Sequence, residues 1–96
     1  MIVERFTIPI KPGKMDEALS MIKDDHLFAS FTRRRRILSP YLSPRDVVVV
    51  DLDFEDVDEH DKLWGEIFAK EAWTAWQAKW DEIRVGQSTN HVWILE

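Results

Sequence analysis

An α+β fold of βαββαβ order, one four-stranded antiparallel sheet with two helices on one face, is what the sequence predicts. Three observations predict it. Residues 47–50 are four consecutive valines, after which Leu52 and Phe54 alternate with Asp51 and Asp53, a strong strand pattern. Two longer stretches repeat apolar residues every three or four positions, the spacing of a helical face. Pro12-Gly13 and Ser43-Pro44 punctuate the chain between these segments.

Taken in order, residues 2–10 carry Ile2, Val3, Phe6, Thr7, Ile8 and Ile10 and read as the first strand. Pro9 cannot donate to a ladder and marks an edge or a strand end. A helix follows over residues 15–28, with Asp16 and Glu17 in its first turn, where the dipole favours acids. Met15, Ala18, Leu19, Ile22, His26 and Ala29 share one of its faces. Residues 33–42 read as the second strand, Ser43-Pro44-Arg45 as a turn, and residues 46–55 as the third strand. Asp56 is the expected N-cap of the second helix, with Glu59 completing a capping box. That helix reads from residue 57 to 84 along a stripe of Trp64, Phe68, Ala72, Trp76 and Trp80. At ~1.5 Å per residue it would be roughly 40 Å long, more than so small a domain is wide, so a break is expected near residues 70–72. Gly86 suits a C-cap, and residues 91–95 form the last strand. In this element order the split βαβ rule puts both helices on one face, the ferredoxin-like arrangement.

The length of 96 residues suits a single domain, residues 1–96. A domain of this size buries only roughly 60–65 % of its unfolded surface, so association is a natural source of extra stability. The chain has no cysteine, which removes disulfides, thiolate metal sites and cysteine nucleophiles. A net charge of −5 argues against nucleic-acid binding, which depends on neutralising phosphates. The start, Met1-Ile2-Val3-Glu4-Arg5, lacks a secretory pattern, and no apolar run approaches the ~20 residues of a membrane span. The expectation is a soluble cytoplasmic protein with no membrane or nucleic-acid partner.

Val47 and Val49 lie on the opposite side of the third strand from Val48 and Val50. One strand is thus apolar on both faces, and an uncovered apolar sheet face marks an interface. A second copy, related by a two-fold axis, is the expected cover.

The segment Ile8-Pro9-Ile10-Lys11-Pro12-Gly13-Lys14-Met15-Asp16-Glu17-Ala18-Leu19 resembles the strand, PGK turn and helix that open members of the dimeric α/β-barrel superfamily. Asp51-Leu52-Asp53-Phe54-Glu55-Asp56, then Leu63-Trp64 and Ala72-Trp73, then His91-Val92-Trp93-Ile94-Leu95, resemble NIPSNAP-like and antibiotic-biosynthesis-monooxygenase-like members. The resemblance implies a dimeric barrel. It also brings in a superfamily of cofactor-free monooxygenases, haem-degrading enzymes, isomerases and proteins of unassigned activity. Haem-degrading members use an asparagine on the first strand; none stands there in this chain, which argues against that activity.

The three histidines fall on three elements with no HxH or HxxxH spacing, so no metal is expected, and no cofactor either. His26 and His91 are the candidate catalytic groups, each able to move a proton near neutral pH, although a structural histidine is the plainer reading of both. His60, at a helix start, reads as exposed and inert. The run Arg33-Arg34-Arg35-Arg36 alternates on its strand, two side chains to each face. A hairpin about Ser43-Pro44 sets Arg36 near Asp51 and Arg34 near Asp53, as cross-strand ion pairs or as holders of an anionic ligand. The tryptophan stripe reads as core, with Trp64 able to wall a pocket; Tyr41 and Trp93 are the other aromatics that could face a ligand. Three functions follow. The first is a homodimer that binds a small hydrophobic or aromatic molecule between sheet and helices. The alternative is a cofactor-independent monooxygenase or isomerase acting on an aromatic or polyketide-like compound, with His26 or His91 as base and Arg34 or Arg36 holding an enolate or phenolate. The third is a structural oligomer with a filled core.

Overall fold

Strict alternation makes β3 (Val47–Phe54) the centre of the core: Val48, Val50, Leu52 and Phe54 are buried under the helices. Val47 and Val49 on the other side are only half-buried. β1 (Ile2–Pro9) pairs antiparallel with β3, setting Ile8 opposite Val48 and Phe6 opposite Val50. The computed structural model describes residues 1–40 and 45–96. The remaining elements are α1 (Met15–Ile22), a 3₁₀ turn (Ala29–Phe31), β2 (Arg35–Leu38), α2 (Val57–Phe68), α3 (Ala72–Ile83) and β4 (Thr89–Ile94). The sheet order is β2-β3-β1-β4, antiparallel throughout, which is the expected ferredoxin-like α+β fold. No helix among the described residues is long and apolar enough to cross a membrane.

Several boundaries differ from the sequence expectation, each for a local reason. α1 stops at Ile22 rather than residue 28, because the Asp24 carboxylate accepts from the backbone N–H of His26 (3.0 Å) and Leu27 (3.2 Å). Such side-chain turns compete with helix continuation. Leu27, Phe28 and Phe31 leave that turn pointing into the core. β2 starts at Arg35, since residues 32–34 turn out of the 3₁₀ segment, the Arg34 N–H donating to Phe31 O. Arg36 nevertheless pairs with Asp51, and the Asp53 N–H donates to Arg34 O at 3.0 Å, the register expected of the hairpin. Tyr41 and the Ser43-Pro44 turn lie outside the described residues.

Asp56 caps α2 as expected, its side chain accepting from the Glu59 N–H at 2.8 Å. Glu59 reaches back to the Glu55 N–H at 3.0 Å, one residue earlier than a capping box requires. The long second helix is broken at residues 69–71, so the helical layer has three helices instead of two. Lys70 ties the break down, donating from Nζ to Leu27 O at 2.8 Å. The break also shifts helical phase: Trp73, not Ala72, continues the aromatic stripe and stacks on Trp76 at 5.5 Å. Gly86, at φ 65°, makes the left-handed turn that a side chain resists and feeds β4.

Residues paired across neighbouring strands point to the same side. The uncovered face therefore reads in rows. Thr7, Val49 and Leu38 form one row, and His91, Arg5, Asp51 and Arg36 form the next. Arg5 grips Asp51 through two bonds of 2.8 Å, and Arg36 grips Asp53 at 2.6 and 2.9 Å. The Arg5 hydrogen bonds hold the Asp51 carboxyl below the usual carboxylate range, against the opposing effect of its burial. The face is thus apolar at its Val47–Val49 end and ion-paired at the other. β4 is exposed along its whole length, on both sides.

Candidate functional site

Aromatic residues on α2 and α3 are too bulky to close completely on β1 and β3. A cavity of about 240 Å³ is left between helices and sheet. Its walls include Phe6, Phe28, Phe31, Trp64, Trp73 and Trp76, and its polar groups are Arg35, Gln77, Arg84 and Ser88. Ring contacts run along it and, through Phe68, past its edge. Trp64 meets Phe68 at 5.5 Å, Phe68 meets Trp73 at 5.0 Å, and Trp76 meets Trp80 at 5.0 Å. Indole N–H groups in such walls need acceptors. Trp76 donates to Met21 O at 3.1 Å and Trp64 to Glu4 Oε1 at 2.7 Å.

A more open groove of about 510 Å³ adjoins the cavity and shares Phe6, Trp64 and Trp73 with it. Glu4 lies in its wall. This carboxylate follows the in-facing alternation Ile2, Glu4, Phe6, Ile8 and is buried at 4 % exposure, so it must be satisfied from within. Trp64 serves one oxygen and the Asn90 amide donates to the other at 3.1 Å. His60 completes the cluster. Its Nδ1 is 2.9 Å from Asp61 Oδ1, and its Nε2 is 3.1 Å from Glu4 Oε2. That second approach is an ionic contact rather than a hydrogen bond: the distance is short but Nε2 has no aligned acceptor.

Burial opposes a charge on His60, but the hydrogen bond to Asp61 and the close approach and attraction of both carboxylates outweigh it, raising the imidazole pKa above its usual 6.5. A raised folded pKa adds stability that is fully present below the unfolded value and is lost as pH climbs through the folded one. As pH rises above about 6.5, the thermal midpoint is therefore expected to fall more steeply for the native chain than for His60→Asn. Parallel curves, or a His60 ring that titrates below 6.5 by NMR, would show that the carboxylates do not hold it.

The sequence candidates are not gathered in one place. His26 sits in the exposed turn after α1, its N–H bound to Asp24, instead of on the apolar helix face. His91 and Trp93 are exposed on β4, on the uncovered face of the sheet and away from the cavity. Arg36 lies on that same face with Asp53, and Arg34 is bound to Glu59 and to Asp53 O. Trp64 alone of the candidate pocket residues described lines the cavity. Of the arginine run it is Arg35 that lines the cavity, donating to Ile22 O (3.2 Å) and Asp25 (2.8 Å). The sequence reading did not single out Glu4, and it took His60 as exposed and inert, whereas the ring is half-buried between Glu4 and Asp61. The available signal was an acid in phase with buried apolar neighbours on the first strand. Among the described residues no three His, Asp or Glu side chains converge with metal-ligand spacing.

No family model matches the sequence, and no curated protein matches it. Solved structures do match. A NIPSNAP domain protein of Burkholderia xenovorans superposes with a TM-score of 0.84 at 18 % identity, covering 100 % of this chain and 95 % of that one. A NIPSNAP family protein of Agrobacterium tumefaciens gives 0.82 at 19 % identity, with 97 % and 90 % covered. An antibiotic biosynthesis monooxygenase gives 0.71 at 17 % identity, with 100 % and 99 % covered. The chain has the ferredoxin-like fold of these proteins, as the sequence resemblance implies. More particularly, two NIPSNAP structures cover it almost end to end.

Proposed function

We propose that this chain binds a small planar aromatic molecule in the cavity between sheet and helices, as a two-fold homodimer joined through the uncovered face of its sheet. The observation that carries the ligand half is the cavity itself: about 240 Å³ walled by aromatic and aliphatic side chains, with a few polar groups. Ligand sites combine such walls with a few orienting polar groups. The half-buried valines of the uncovered face support the dimer half.

A second reading, a cofactor-independent monooxygenase or isomerase for an aromatic or polyketide-like compound, is favoured by one observation. Glu4 and His60 form a carboxylate–imidazole pair in the wall next to the cavity, a pairing suited to moving a proton. A neighbour in fold is an antibiotic biosynthesis monooxygenase, which fits this reading without carrying it.

Tryptophan emission tests the ligand half. Titration with a neutral planar probe such as 1-naphthol is expected to quench it saturably. Gln77→Trp, which adds a fifth indole at a half-exposed wall position and fills the cavity mouth, is expected to abolish the quench. An unsaturable quench, or one that the substitution leaves intact, removes the cavity as a site. Light scattering is expected to give a mass near twice the 11.4 kDa of one chain. A single-chain mass at micromolar concentration removes the dimer.

A further inference from the structure

We infer that the groove beside the cavity selects an organic ammonium ion, whose methyl-rich cationic head would sit against Phe68, Trp64 and Trp73 and near the carboxylates of Glu4 and Asp61. The inference rests on the reading of the cleft as a ligand site and adds the charge of what enters it.

The first ground is ring geometry. Phe68 is 55 % exposed and contacts the half-buried Trp64 and Trp73, so the three rings form one contiguous apolar patch open to the groove. Phe68 lies between two indoles at different inclinations, 27° to Trp64 and 58° to Trp73. Phe6 stands edge-on to Trp64 at 63°. The result is a corner of π faces rather than a flat slot. A flat slot suits a planar ring, whereas a corner suits a rounded cationic head, which the negative faces of the rings attract.

Charge is the second ground. Among the described residues that line the groove there is no lysine or arginine. The charged groups are Glu4, Asp61 and His60, and the ring of His60 sits between the two carboxylates. Two acids against at most one positive imidazole leave the groove with net negative charge whether or not His60 is protonated. Glu4 is also held by neutral donors, the Trp64 indole and the Asn90 amide, which fix its position without cancelling its charge. The adjoining cavity has the opposite character, with Arg35 and Arg84 among its polar groups. The two compartments are thus chemically distinct although they share three aromatic walls.

An isosteric pair of probes tests this: 4-(trimethylammonio)phenol and 4-tert-butylphenol differ in charge but hardly in shape. By tryptophan quenching or calorimetry the cation is expected to bind about tenfold more tightly than the neutral probe. Phe68→Leu keeps an apolar side chain but removes the π face. It is expected to cut the preference to about threefold or less. Glu4→Gln is expected to do the same. Should that buried substitution fail to fold, the surface substitution at Phe68 carries the test alone. Equal affinity for both probes overturns the ammonium inference and leaves the aromatic cleft standing. Binding of neither overturns the cleft reading as well. A cation preference that Phe68→Leu does not alter places the cation elsewhere and overturns the assignment of the groove.

Discussion

Phe31→Ala is expected to lower the thermal midpoint by about 15–30 °C at fixed protein concentration. Phe31 is 2 % exposed and joins three other rings, Phe28 at 6.3 Å, Phe54 at 5.8 Å and Trp64 at 4.9 Å. It therefore links the 3₁₀ turn, the sheet and α2 in one contact. Truncating a buried phenylalanine costs about 3–5 kcal/mol, through lost burial and the cavity left behind. Domains of this kind hold about 5–15 kcal/mol in total. A small domain sits toward the lower end of that range, so the variant should be close to unfolded at ordinary temperature. Phe68→Ala is the matching control: the same truncation at an exposed ring, expected to shift the midpoint by only a few degrees. A Phe31→Ala midpoint within about 5 °C of the native value would show that the ring is not a structural joint.

Val49→Lys is expected to halve the mass seen by light scattering while leaving the protomer folded. Val49 lies on the uncovered face between Thr7 and Leu38, and Leu38 is 48 % exposed. In a lone protomer a lysine there can extend into water along its neighbours at little cost. In a two-fold contact the substitution appears twice and would bury two ammonium groups without partners, a penalty of several kcal/mol each. Val48→Lys, one residue away but at 0 % exposure under the helices, is expected to unfold the chain instead. An unchanged mass and midpoint for Val49→Lys would show that this face is solvated, and the dimer would have to be abandoned.

Much of the architecture was legible because local rules dominate it. Four successive valines admit little but a strand, and the alternation after them set which residues face the helices. The Asp56 cap and the cross-strand neighbours Arg36 and Asp51 follow from short-range geometry alone. The helix break was readable from length, since no domain of this size can shelter so long a rod. Its consequence for Trp73 was not, because the phase shift depends on how many residues the break consumes. The extension of α1 through His26 failed for a related reason: His26 and Ala29 fit the helical period, but the side chain of Asp24 offers the backbone a competing turn. The candidate site was the least legible part. Glu4 is one acid in an apolar alternation, and only the approach of α2 and β4 gives it Trp64, His60 and Asn90. Such a cluster is assembled across the fold from residues 4, 60, 64 and 90, and no spacing along the chain announces it.

The nearly parallel planes of Trp73, Trp76 and Trp80, 16° and 17° apart in successive pairs, have an optical consequence. At 5.5 Å and 5.0 Å excitation passes readily between neighbouring indoles, so the emission of the three is shared. Excitation absorbed at any of the three reaches its neighbours, so an acceptor lodged beside Trp73 would darken the whole row.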